Sequence, residues 1–188
     1  MSSNCRVCSG KMPDDRKGWE QMCPVCLERY TKYKNFMLES NTIEKEPRIN
    51  TGDMAALQYA LNVIEWDEES LCHLHRLLGA YLEKPWVGRY RRCNVWVGNH
   101  APPDYQDVPA LMDMFFEELN TCELDSWEAH TEFESIHPFQ DLNGRVGRLL
   151  WLNMAVKEGY NFKIPFLQMY YYQTLAQYQR AQEEDDYV

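Results

Sequence analysis

The chain has 188 residues, 45% of them hydrophobic and 26% charged, with a formal net charge of −10. That length suits one domain with a small appendage and is enough to bury a proper core. The acidic balance excludes a general nucleic-acid coat, and no apolar run approaches the roughly 20 residues needed to cross a bilayer.

The amino end, MSSNCRVCSG, lacks the apolar stretch of a secretory signal, so the cytosol is the expected compartment. Four of the seven cysteines fall in the first 26 residues, as Cys5-x2-Cys8 and Cys23-x2-Cys26 with 14 residues between the pairs. Each pair puts two thiolates on one tight turn, and two such turns complete a tetrahedral Zn2+ site. A segment this short cannot bury enough apolar surface to fold alone, so the metal would supply the missing free energy. With four cysteine ligands the Zn2+ reads as structural; disulfides, the other reading, are disfavoured in a cytosolic chain. Residues 1–30 are therefore expected to form a zinc-binding module, and residues 31–188 the main domain. Arg6, Lys11, Arg16 and Lys17 leave a local nucleic-acid contact open for the module, although small zinc modules as often bind protein or brace a terminus.

Beyond it the chain reads as mainly α. Helical patterns cover about 27–46, ending before Pro47, then 53–66, 68–82, 108–121 and 124–136. Two more run from 143 to 158, stopped by Gly159, and from 165 to 182. Residues 92–98 (RCNVWVG) break the pattern: Cys93, Val95 and Val97 alternate with Asn94 and Trp96 at a strand period. A short strand or hairpin on a helical body leaves an open edge, which is either a liability or a place for an extended peptide to dock. The acidic end of the chain, EEDD, is expected to fray in solvent.

The chemistry concentrates in residues 137–148, HPFQDLNGRVGR. Pro138 ends the preceding helix, Gly144 permits a sharp turn, and a helical pattern follows at once. Free N–H groups and the helix dipole favour an anion such as phosphate at that helix start. Arg145 and Arg148, three apart, project from one face of the first turn and can grip phosphate oxygens. Asp141 is a hard oxygen ligand suited to Mg2+, and His137 can take a proton near neutral pH. A base, a metal ligand, an anion nest and two arginines in twelve residues describe a phosphoryl or nucleotidyl transfer site.

This stretch resembles the signature of the Fic (filamentation induced by cyclic AMP) family, His-Pro-Phe-x-(Asp/Glu)-Gly-Asn-Gly-Arg-x-x-Arg, and the resemblance extends over about residues 36–180. It implies a helical core with a β-hairpin flap and transfer of AMP from ATP to a Ser, Thr or Tyr hydroxyl of a target protein. In that frame His137 deprotonates the hydroxyl and Asp141 holds the Mg2+ that bridges the α- and β-phosphates. Asn143 and Gly144 help form the anion cradle, Arg145 and Arg148 take the β- and γ-phosphates, and Phe139 anchors the loop. Residues 89–100 would be the flap, with Asn94, Val95, Trp96 and Val97 pairing with the target as an added strand. Known settings of the family make a bacterial or phage-borne protein, or one delivered to a host cytosol, an expected source. The oligomeric state stays open, a homo-oligomer included.

Two departures carry weight. Leu142 stands where the consensus has glycine; it is strained if the backbone needs φ > 0, and harmless if only its N–H is used. It also leaves open transfer of another nucleotide or of phosphate. Ser40-Asn-Thr-Ile-Glu44 resembles the family's inhibitory pattern (Ser/Thr)-x-x-x-Glu-(Gly/Asn), with Lys45 at the last place. On a helix covering about 31–46, Glu44 would pair with Arg148, remove a γ-phosphate ligand and hold ATP unproductively; a plain surface glutamate is the other reading. Elsewhere, His130 reads as a core histidine, and His73 and His75, two apart, face different ways. Tyr170, Tyr171 and Tyr172 read as packing for the last helix, and Trp86 and Trp96 as target contacts or core. A binding protein built on a silent fold is the distant alternative, and the intact His137, Asp141, Asn143, Arg145 and Arg148 speak against it.

Overall fold

The computed structural model describes residues 24–98 and 101–159. Six α-helices make up the body: α1 (Pro24–Ile43), α2 (Thr51–Ala60), α3 (Glu68–Gly79), α4 (Val108–Asn120), α5 (Ser126–Ile136) and α6 (Asn143–Lys157). A 3₁₀ turn, Ala80–Leu82, extends α3. Three helix starts are fixed by reciprocal capping: Asn50 with Asp53 on α2, Asp67 with Ser70 on α3, and Asp125 with Glu128 on α5. Each closes two otherwise orphaned backbone N–H groups.

Helix α6 is the centre. Val146, Leu149, Leu150, Leu152 and Ala155 are almost wholly buried, and α1, α2, α3 and α5 all pack against it. Phe115, Phe133 and Phe139 fill the space between α4, α5 and the loop that leads into α6. Phe36 stacks on Trp151 at 6.1 Å, which seats α1 on α6. Burying this many large apolar side chains against one helix makes its start a rigid platform.

The mainly helical reading holds, and the boundary that moves furthest is the end of α2. A helix was expected over 53–66, and α2 stops at Ala60. Asn153 on α6 explains the stop: its side-chain amide donates to the carbonyls of Ala60 (2.8 Å) and Val63 (3.0 Å), and its oxygen accepts from the Trp66 indole (2.9 Å). These bonds satisfy carbonyls at the helix end while the chain turns to bury Trp66. The strand expected over 92–98 does not form among the described residues; Val97 alone makes a β-bridge. Polar groups there bond elsewhere: the Cys93 carbonyl accepts from Arg91, and the Asn94 side chain joins Asp104 and the Tyr105 N–H. Of the expected zinc ligands, Cys5, Cys8 and Cys23 lie outside the described residues, and Cys26 is described only as a backbone position in α1. Residues 165–182, with Tyr170, Tyr171 and Tyr172, lie outside as well. No helix among the described residues is long and apolar enough to cross a membrane.

Candidate active site

The site is built where α5 ends and α6 begins. His137 closes α5 in a left-handed conformation (φ 51°), its N–H bonded to the Phe133 carbonyl at 2.9 Å. Pro138 then forbids further helix. Asn143 ties the loop shut: its oxygen accepts from the Phe139 N–H (2.8 Å) and its amide donates to the Phe139 carbonyl (2.9 Å). Phe139 is fully buried, its ring stacked on His75 at 4.0 Å. The residue read as a buried anchor is one.

Leu142 sits at φ 67°, so the strained alternative is the one realised. A left-handed leucine costs about 1 kcal/mol. Its side chain turns into the core, against the bare Cα of Gly79, where an added Cβ would stand 3.1 Å from Leu142 Cδ1. Lys45, the second departure from the family pattern, is left-handed too (φ 61°). Both departures fall where the chain needs the conformation glycine adopts most cheaply.

No side chain caps α6. The N–H groups of its first turn therefore form an anion cradle, bordered by the exposed Asp141, whose Oδ1 accepts the Leu142 N–H at 2.7 Å. Arg145 is buried along its length; one terminal nitrogen donates to the Tyr81 hydroxyl (3.2 Å), while its Nε has no hydrogen-bond partner among the described residues. Arg148 is 1% exposed and faces α1: it donates to the Ser40 hydroxyl (2.8 Å), the Ser40 carbonyl (3.1 Å) and Glu44 Oε1 (2.6 Å). The same carboxylate oxygen lies over Gly144, 2.7 Å from where a Cβ would be. Glu44 thus stands in the anion cradle itself. Asn41 holds this end of α1 in place, donating to the Arg48 carbonyl (2.7 Å) and to Asp53 on α2 (2.9 Å).

His137 presents Nδ1 to the Glu134 carbonyl at 3.3 Å and lies 3.8 Å from the Glu134 carboxylate. Burial pulls its pKa down to about 4, so the ring is neutral at neutral pH and can accept a proton. His130 is buried on α5, its pKa lowered to about 3 by burial and then by Arg148. Trp96 is 75% exposed, with Val97 exposed beside it and Trp86 facing His75 at 6.1 Å.

Three supporting residues have roles that the sequence did not signal. Arg91, 2% exposed, donates its Nε to the His137 carbonyl (2.9 Å) and its terminal nitrogens to the carbonyls of Cys93, Pro103 and Ile136, while its N–H bonds the Pro138 carbonyl. His75 donates Nε2–H to the Asp141 carbonyl (3.1 Å) because its Nδ1 accepts the Gly88 N–H (2.7 Å). With burial holding its pKa near 4, His75 stays neutral. Glu134, under His137, is the third.

A left-handed loop feeding an uncapped helix start, with a neutral histidine, an exposed carboxylate and two arginines on the same stretch, is an arrangement suited to binding phosphate. Residues 65–155 match the model of the Fic/DOC family, and the chain carries a Fic/DOC domain there. A protein adenylyltransferase Fic from Drosophila grimshawi is 34% identical over 99 residues, which cover 49% of this chain and 20% of the relative. One from Aedes aegypti is 32% identical over the same length and shares. The chain thus matches about a fifth of the length of these curated relatives. Among solved structures, a Fic family protein from Desulfovibrio desulfuricans superposes with a TM-score of 0.67 at 24% identity, covering 85% of this chain and 60% of that one. A Fic domain containing signaling protein from Bacteroides thetaiotaomicron gives 0.60 at 20% identity, covering 84% and 74%. These two likenesses establish the shared helical fold.

Proposed function

We propose that the domain transfers AMP from ATP to a hydroxyl side chain of a target protein and that Glu44 restrains it. The observation that carries this reading is the cradle at the α6 start, with His137 neutral on one side and the orphaned Nε of Arg145 on the other. His137 Nε2 takes the proton of the target hydroxyl. The hydroxyl oxygen bonds to the α-phosphorus, the bond to the bridging oxygen breaks, and pyrophosphate leaves. First-turn N–H groups and Arg145 hold phosphate oxygens through this step. The exposed Asp141 is a fitting oxygen ligand for Mg2+, which when bound offsets phosphate charge. Among the described residues no cluster of three metal-ligating side chains occurs, so the phosphates and water would complete the shell. Adenylyltransferase names among the relatives support the same reaction. Because Leu142 packs into the core, it gives no ground for a different nucleotide.

Restraint follows from the same geometry. A carboxylate that occupies the cradle and binds Arg148 competes with the phosphates for both. The segment after Arg91 is the proposed place for the target's backbone, and the amino-terminal cysteines the proposed Zn2+ ligands. Intact mass after incubation with Mg2+ and ATP tests the reading. Wild type and Glu44→Gly gain AMP, with Glu44→Gly faster on the order of tenfold because the competent state is no longer a minor one. His137→Ala gains none. No gain in any form, with folded protein, rejects adenylyl transfer; equal gain in wild type and Glu44→Gly rejects the restraint alone.

A further inference from the structure

Behind His137 lies a carboxylate that the transfer scheme does not use. Glu134 sits one turn earlier on α5, and its side chain is 12% exposed. Its Oε1 is sealed from solvent without a hydrogen-bond partner among the described residues, and its Oε2 is 3.8 Å from His137 Nδ1. Room for it comes from Gly147 on α6, where an added Cβ would stand 2.5 Å from Glu134 Oε1. A buried acid with an orphaned oxygen is costly, so an arrangement that clears space for one beside a base calls for a function.

We propose that Glu134 is a positioning residue for His137: it keeps the imidazole proton on Nδ1 and the lone pair on Nε2, and it becomes the counter-charge of the imidazolium formed when Nε2 takes the target's proton. The proposal rests on the adenylyl-transfer reading for its chemistry. The Glu134 carbonyl accepts from Nδ1, 3.3 Å away, which puts the proton on Nδ1 and leaves the lone pair on Nε2. In the step the hydroxyl proton moves to Nε2, the oxygen bonds to the α-phosphorus, and pyrophosphate departs. The ring then carries a full positive charge in a buried place, where a carboxylate at 3.8 Å acts far more strongly than in water.

Other charges set when that carboxylate is ionised. Burial raises the Glu134 pKa to about 7, Arg148 on α6 lowers it, and Glu44 on α1 raises it. His130, on the same helix, faces it across Gly147 and stays neutral. His137 itself is faced by Arg91, Asp141 and Glu44. Glu134 therefore gains its charge as pH rises through about 7, and with it the counter-charge.

The test uses the full chain carrying Glu44→Gly, with Glu134 intact, Glu134→Gln and Glu134→Asp. With Glu134 intact, kcat rises with pH as Glu134 gains its charge, and the rise falls below the wild-type value of about 7 because the Glu44 carboxylate no longer raises that pKa. Glu134→Gln loses that rise and falls about tenfold to hundredfold in kcat at pH 8, with KM for ATP within about twofold. Glu134→Asp restores the rise. Folding is checked by melting: an acid with a raised pKa costs stability as pH climbs from its ordinary value to the raised one, so Glu134→Gln melts no lower than its parent at pH 8. A Gln variant that keeps the pH rise, or that loses ATP affinity instead of kcat, overturns the proposal. A second readout needs no turnover. In the chain that keeps Glu44, the His137 ring, followed by 15N NMR, shows a step near pH 7 as its neighbour ionises, and Glu134→Gln abolishes it. If no nucleotide is transferred but this step is lost in Gln, the adenylyl reading fails and the pairing stands. If the step persists in Gln, the pairing is wrong whatever the activity.

Discussion

The candidate catalytic loop and the segment beside it are held in opposite ways. Residues 137–148 are tied at almost every turn: Asn143 to Phe139, Leu142 to Asp141, His75 to Asp141, Arg148 to Ser40 and Glu44. Among the described residues, 92–98 have few such ties: Asn94 joins Asp104 and Tyr105, the Cys93 carbonyl takes one bond from Arg91, and Val97 makes a β-bridge. Trp96 and Val97 stand in solvent. A group that must meet a developing charge gains from being fixed in advance. A strand edge that meets many partners gains nothing from it, because pairing with the partner supplies the order. Rigidity thus marks the proposed chemistry, and its lack marks the proposed docking place.

Arg91 joins the two regions, so removing it breaks the contrast most severely. Its guanidinium serves the carbonyls of Cys93, Pro103, Ile136 and His137, with no carboxylate among these partners. Arg91→Ala leaves those buried acceptors unpaired and costs on the order of 4 kcal/mol. The melting temperature drops by about 10 °C, and transfer falls with it because the His137 carbonyl is released. Arg91→Lys recovers little, since one ammonium cannot span four acceptors in a plane. If Arg91→Ala melts within about 2 °C of wild type, the two regions are not joined through this side chain.

A smaller effect is expected inside the loop, at Leu142. Glycine there relieves about 1 kcal/mol of left-handed strain. It also empties the space against Gly79 and the core, which for a buried leucine costs about 2–5 kcal/mol. The packing term wins. Leu142→Gly is expected to be less stable by about 2 kcal/mol, seen as a fall of roughly 4–8 °C in melting temperature, with nucleotide choice unchanged. A rise in melting temperature would mean that strain outweighs packing. A change in the nucleotide transferred would return Leu142 to the substrate pocket.

What the sequence conveyed follows the same division. The loop stood out because twelve consecutive residues carry its candidate base, its carboxylate, turn and arginines, and local chemistry is what a sequence displays best. Glu44 was visible through its pattern; the structure adds that it reaches Arg148 across 104 positions and lies over Gly144. Lys45 and Leu142 were visible as departures, while their positive φ was not. Arg91 and His75 left no trace, since an arginine that serves main-chain carbonyls and a histidine that bridges two backbone groups follow no spacing rule. Alternation at 92–98 suggested a strand, yet period-2 patterning records which way side chains point and not whether a neighbour is present to pair. The end of α2 depended on Asn153, 93 residues from Ala60.

Trp96 carries the smallest effect on the fold and the sharpest test of the contrast. With 75% of its surface exposed, it contributes little to the core. Trp96→Ala is expected to leave stability within about 0.5 kcal/mol of wild type. Its role, if the segment receives the target, lies in the complex: exposed tryptophans next to an open edge are common anchors, and losing one costs about 2 kcal/mol of binding. In the Glu44→Gly chain, labelling of lysate proteins by an ATP analogue is therefore expected to fall about tenfold or more, while ATP affinity holds. The two arms separate cleanly. A drop in melting temperature with labelling intact would make Trp96 a packing residue and move the docking place elsewhere. Unchanged melting with reduced labelling keeps the segment loosely held in the free protein and committed only when a partner arrives.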